Sequence, residues 1–90
     1  MTNLFDPTGK VALVTGGGQG IGAETARQFA KEGAKVAVAD WNADTAKAVA
    51  AEIQKAGGQA LGLQCDVSKR DAVNAMVEQI VKAWGHVDIL

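Results

Sequence analysis

Apolar residues fall along this chain in two rhythms. Val11-Ala12-Leu13-Val14 and Val36-Ala37-Val38-Ala39 are apolar at every position, as parallel strands covered on both faces must be; a half-exposed strand would alternate. Between and after them the spacing changes to i, i+3, i+4, i+7, which lines up one face of a helix. Ile21, Thr25, Ala26, Phe29 and Ala30 form such a face opposite Glu24, Arg27, Gln28 and Lys31, predicting a helix from about Ile21 to Glu32 with Gly33 as its C-terminal cap. Ala46, Val49, Ala50 and Ile53 repeat the pattern behind Asn42, a natural N-cap, and Gly57-Gly58 stops it. The strongest stripe is Val73, Met76, Val77, Ile80, Val81 and Trp84, ended by Gly85. Ser68, with Asp71 three positions on, reads as the capping box of that third helix.

The predicted strands are Lys10 to Thr15, Lys35 to Asp40, about Ala60 to Val67 with Leu61, Leu63 and Cys65 on one side, and a fourth opening at Val87-Asp88-Ile89-Leu90. Met1 to Gly9 has no period, and Asp6-Pro7-Thr8-Gly9 reads as a turn into the first strand. A βαβαβαβ order with short connections and right-handed crossovers gives an α/β fold: a Rossmann-type doubly wound parallel sheet, three layers deep, with strand order 3-2-1-4 and a ligand crevice between strands one and four.

Composition narrows the function classes. The 90 residues make one small domain, 48% hydrophobic and 21% charged, with formal net charge -1 and 11 glycines. Nine Lys and Arg against ten Asp and Glu, scattered along helices, argue against a nucleic-acid partner. No apolar run approaches the roughly 20 residues of a membrane span, the first nine residues lack the marks of a signal peptide, and one cysteine forms no internal disulfide. These features point to a soluble, cytoplasmic chain with no membrane partner.

The chemistry concentrates in Thr15-Gly16-Gly17-Gly18-Gln19-Gly20-Ile21-Gly22, between a strand and a helix start. Glycines there allow positive φ and close approach of backbone to a ligand, and the helix directs its free N–H groups and positive dipole end at the turn, where a phosphate fits. Asp40 ends the second strand about 20 residues beyond Gly20, the place of a ribose-binding carboxylate. No basic residue lies in the turn or just after Asp40, which favours NAD over NADP. Two registers fit, Gly16-x-x-x-Gly20-x-Gly22 and Gly18-x-Gly20-x-x-Ala23, and both put pyrophosphate at the same helix end. Plainer readings stand beside these: Asp40 as an exposed strand end or helix cap, Trp41 as a surface aromatic rather than a flank of the adenine, Cys65 as a small buried hydrophobe, and His86 as a solvated loop residue. No acid pair, metal-ligand cluster or nucleophile–base pair appears in the sequence.

With Thr15 in front and Ile21 within, the turn reads T-G-x-x-x-G-I-G and closely resembles the cofactor fingerprint of the short-chain dehydrogenase/reductase family. Gly9-Lys10-Val11-Ala12-Leu13-Val14-Thr15-Gly16, Cys65-Asp66-Val67 and Gly85-His86-Val87-Asp88-Ile89-Leu90 follow the same family pattern in order. The resemblance implies a dinucleotide bound by Gly16, Gly18, Gln19, Gly20, Ile21, Gly22, Asp40, Trp41, Asp66 and Val67, with Asp66 at the adenine amino group and Val67 at its face; the plain alternative for Asp66 is a cap before Ser68. It implies hydride transfer between NAD and an alcohol or ketone, of a 3-oxoacyl reductase-like or secondary alcohol dehydrogenase-like kind, in a homotetrameric or homodimeric parent. The family's acid/base is a tyrosine, and this sequence contains none. Residues 1–90 are therefore expected to be the N-terminal part of a single NAD(P)-binding domain whose catalytic half is absent from this chain. The alternative is a truncated, non-catalytic nucleotide-binding module.

Overall fold

The computed structural model describes residues 8–16 and 18–88. Its elements are β1 (Val11–Thr15), α1 (Gly20–Lys31), β2 (Lys35–Asp40), α2 (Ala43–Lys55), β3 (Gln59–Gln64) and α3 (Arg70–Trp84). The three strands are parallel in the order β1-β2-β3, with Val11 opposite Lys35 and Lys35 opposite Gln59. Strand order 3-2-1 is thus observed as expected.

The unbroken apolar runs follow from burial on both faces. Val36 and Val38 of β2 pack under α1 and α2 with Val14, Ala23, Ala26, Ala46, Val49, Ala50 and Ile53. Ala37 and Ala39 point the other way, joining Val11, Leu13, Cys65, Met76 and Ile80 under α3. Each fully buried Val or Leu contributes about 1.5–3 kcal/mol, and the first layer holds α1 and α2 to one face of the sheet while the second holds α3 to the other.

Helix ends are chemically specified. Asn42 Oδ1 accepts from the N–H groups of Asp44 (3.0 Å) and Thr45 (3.3 Å), capping α2 as the sequence predicts. Gly33, at φ +98°, turns the chain out of α1 while its N–H reaches Ala30 O and Ala34 N–H reaches Phe29 O, the paired bonds of a Schellman motif.

Four expectations need correction. Ile21 is 88% exposed; the buried stripe of α1 is Ala23 and Ala26, with Phe29 and Ala30 partly buried, because small residues let the helix lie close on β2. β3 stops at Gln64 rather than Val67, since Asp66 Oδ1 accepts from both Ser68 N–H (3.0 Å) and Ser68 Oγ–H (2.6 Å) and folds the chain into a turn. That engagement removes Ser68 from capping: α3 begins at Arg70 behind Lys69, with no side-chain cap. Val87 and Asp88 are not in a strand, and Ile89 and Leu90 lie outside the described residues, so the fourth strand is not observed among the described residues. The approach to it is: Asp88 N–H donates to Val11 O (2.9 Å) and Asp88 Oδ2 accepts from Val11 N–H (2.9 Å). Lys10 O faces β2 through Lys35 N–H, so Val11, one residue on, faces the opposite, free edge of the sheet.

Candidate dinucleotide site

Parallel strands deliver the carboxyl ends of β1, β2 and β3 to one edge of the sheet, and the glycine turn, Asp40, Trp41, Asp66 and Val67 follow those ends. The turn after β1 has Gly16 at φ +67° and Gly20 at φ +55°, and a Cβ on either would meet nothing within 4 Å. The positive φ favours glycine at both positions, and the backbone there faces open space. Gln19 stands at the N-cap of α1 in extended conformation without a side-chain hydrogen bond, and no acidic residue occupies the first turn. The first N–H groups of α1 therefore have no side-chain acceptor at the cap, and the positive end of the helix faces the turn. Gly22 is half-buried within that first turn.

Asp40 differs from both plain readings. It is 6% exposed, the only buried charged residue among those described. Its Oδ2 accepts from Gly18 N–H (3.2 Å) and its Oδ1 from Asn42 N–H (3.1 Å). A carboxylate taken from water needs such partners, and these tie the glycine turn to the start of α2. The capping of α2 belongs to Asn42 instead.

Apolar side chains are exposed just beyond the strand ends. Ile21 (88%), Trp41 (72%) and Val67 (59%) are three of the four large hydrophobic residues exposed among the described ones, and all three follow the carboxyl ends of strands. Trp41 O accepts from Gln64 Nε2 (3.2 Å), which ties the β2 end to β3. Asp66 is exposed, and its hydrogen bonds from Ser68 hold its carboxyl below the usual aspartate range. Cys65 is buried at 4%, as a small hydrophobe.

His86 is exposed outside any helix or strand, as expected of a solvated loop residue, and it is also paired. Its Nε2 lies 2.7 Å from Asp88 Oδ2, at the opposite end of β1 from the glycine turn; the Asp88 carboxyl is held low first by Val11 N–H and further by His86 and Lys10. Only the i, i+2 spacing of the two residues hinted at the pair. A cleft of about 600 Å3 between α1 and α2, where Arg27 meets Glu52 at 2.9 Å, is remote from the strand ends. Among the described residues there is no cluster of metal-ligating side chains, and no helix is long and apolar enough to cross a membrane.

The strand ends thus bring together open backbone, a helix start without a side-chain cap and exposed apolar side chains. The family model for short chain dehydrogenases matches residues 10–90. The chain belongs to the short-chain dehydrogenase/reductase family. It is 48% identical over 82 residues to a 2,5-dichloro-2,5-cyclohexadiene-1,4-diol dehydrogenase, LinX, of Sphingobium indicum, covering 91% of this chain and 33% of that protein. A short-chain dehydrogenase/reductase homolog of Bacillus subtilis, YusS, is 51% identical over 85 residues, covering 90% of this chain and 75% of that one. Among solved structures, a hydroxysteroid dehydrogenase from Escherichia coli superposes with a TM-score of 0.91 at 45% identity, covering 93% of this chain and 36% of that one. A metagenomic short-chain oxidoreductase in complex with NADP gives 0.87 at 38% identity, covering 96% of this chain and 39% of that one. The chain thus spans about a third of the length of LinX.

Proposed function

We propose that this chain is the NAD-binding, N-terminal part of a single oxidoreductase domain that exchanges hydride between NAD and an alcohol or ketone. The family binds a nicotinamide dinucleotide, and the residues present fit one: Gly16 and Gly20 leave space against the backbone, the uncapped start of α1 suits a pyrophosphate, and Ile21, Trp41 and Val67 offer apolar surface to a base. A nicotinamide held there would accept hydride from the alcohol or, in its reduced form, give it to the ketone. Gly18, Gln19 and Gly22 shape the phosphate turn, Asp40 accepts from the ribose hydroxyls, and Asp66 with Val67 borders the adenine. The single observation carrying the choice of NAD is the buried Asp40 carboxylate at the end of β2, because an anion there repels a 2′-phosphate. One solved relative is in complex with NADP, so the preference for NAD rests on this chain's own residues.

The second reading, a nucleotide-binding module without catalysis, draws on the absence of tyrosine and on YusS, of which this chain spans 75%. In either case the partners are a dinucleotide and, for a catalytic parent, a small alcohol or carbonyl compound; a cytoplasmic homotetramer or homodimer is the assembly we propose for that parent. Binding of NAD and NADP to the wild type and to Asp40→Ala tests the reading. The wild type is expected to bind NAD more tightly and the variant to lose that preference; tighter NADP binding by the wild type refutes the role of Asp40.

A further inference from the structure

We propose, resting on the reading of Asp40 as the ribose acceptor, that Gly18 is a positioning residue: its missing side chain lets the start of α2 close onto the Asp40 carboxylate and so sets the preference between NAD and NADP. The glycines of the turn fall into two physical classes. Gly16 and Gly20 have positive φ and open space where a Cβ would point. Gly18 is the reverse. Its φ is not positive, so an alanine meets no backbone strain there, yet its Cβ would lie 2.9 Å from Ala46 N and 3.0 Å from Asp40 Oδ2, with Thr45 Oγ1 closer still.

Those neighbours differ in how far they can yield. Ala46 N is backbone of α2, and α2 is seated on its other side against β3, where a Cβ on Gly62 would come within 2.9 Å of Ala46 O and 2.8 Å of Lys47 Cα. The first turn of α2 is therefore wedged between two glycines. The Thr45 hydroxyl donates to Asn42 O (3.1 Å), and the Asp40 carboxylate is held from both sides by Gly18 N–H and Asn42 N–H. A methyl group at position 18 therefore parts Gly18 from the start of α2 and breaks its N–H bond to the Asp40 carboxylate, while Gly16 and Gly20, whose Cβ positions face open space, keep the conformation that presents the helix start to the pyrophosphate. Recognition of the ribose 2′ position is lost and recognition of the phosphates is kept.

The experiment measures dissociation constants of the 90-residue chain for NAD and for NADP, by calorimetric titration at one salt concentration, in wild type, Gly18→Ala, Thr45→Leu and Asp40→Ala. Gly18→Ala is expected to narrow the NAD preference by about tenfold, the size of a lost hydrogen bond to a charged group. Thr45→Leu crowds the same contact from the helix side and is expected to narrow it too, which keeps the test alive if Gly18→Ala fails to fold. In the Asp40→Ala background, Gly18→Ala should leave the ratio unmoved. A purely structural role lowers both affinities by the same factor; that result, with Asp40→Ala abolishing the preference and Gly18→Ala and Thr45→Leu retaining it, overturns the inference alone. A wild type without NAD preference, or without binding of either nucleotide, overturns the reading of Asp40 as well.

Discussion

Replacing Gly62 by alanine probes how α2 reaches the sheet. Gly62 stands opposite Val38 in the ladder, and its Cβ would meet Lys47 Cα at 2.8 Å, Ala46 O at 2.9 Å and Lys47 N at 2.9 Å. All three are backbone atoms, so no side chain can rotate away and the helix itself must lift. Lifting it draws Ala46, Val49, Ala50 and Ile53 from the layer they share with Val36 and Val38, an overpacking cost of about 1–3 kcal/mol. Against this, alanine restricts the unfolded chain and returns about 0.4–1 kcal/mol. The net loss is about 1–2 kcal/mol, and at about 4–8 °C per kcal/mol for a domain of this size the melting temperature falls by about 5–15 °C. Urea unfolding followed by far-ultraviolet circular dichroism measures it, with the midpoint lowered and the slope unchanged. A Gly62→Ala chain as stable as the wild type refutes the close seating of α2 on β3.

Asn42→Ala removes the acceptor for Asp44 and Thr45 N–H and should cost about 1 kcal/mol in the same unfolding assay, with Asn42→Asp restoring most of it; an unchanged midpoint contradicts the cap. Asp88 carries the pH dependence: its carboxyl is held low first by Val11 N–H, so its contribution is complete above the unfolded value of about 3.9 and disappears as pH falls through the lower folded value. Melting temperature against pH should therefore fall less steeply below about pH 4 in Asp88→Asn than in wild type; superimposable acid limbs remove Asp88 from the account.

The glycine turn, β2 and the buried face of α2 were legible because each rests on local rules: positive φ, burial on both faces, a 3.6-residue period. Asn42 announced its cap for the same reason. What was illegible depends on partners distant in sequence. Ile21 fits the helical stripe of α1 by spacing, but the sheet meets that helix at Ala23 and Ala26 and leaves Ile21 exposed. Ser68 satisfied a capping pattern, and Asp66 captured its hydroxyl two residues earlier. Asp40 was placed correctly at the strand end, yet its burial between Gly18 and Asn42 follows from how the turn and α2 pack, which no spacing encodes. The clamp of Asp88 on Val11 joins residues 77 apart.

The most direct measurement is where NAD lands. An isotope-labelled chain titrated with NAD and followed by its backbone amide resonances distinguishes the strand ends from the rest of the surface. The account predicts shifts at Gly16, Gly18, Gly20, Ile21, Trp41, Asp66 and Val67, with Arg27, Glu52 and Ala56 of the cleft between α1 and α2 unmoved. Shifts centred on that cleft, or amides at the strand ends that do not respond while NAD binds, would contradict it.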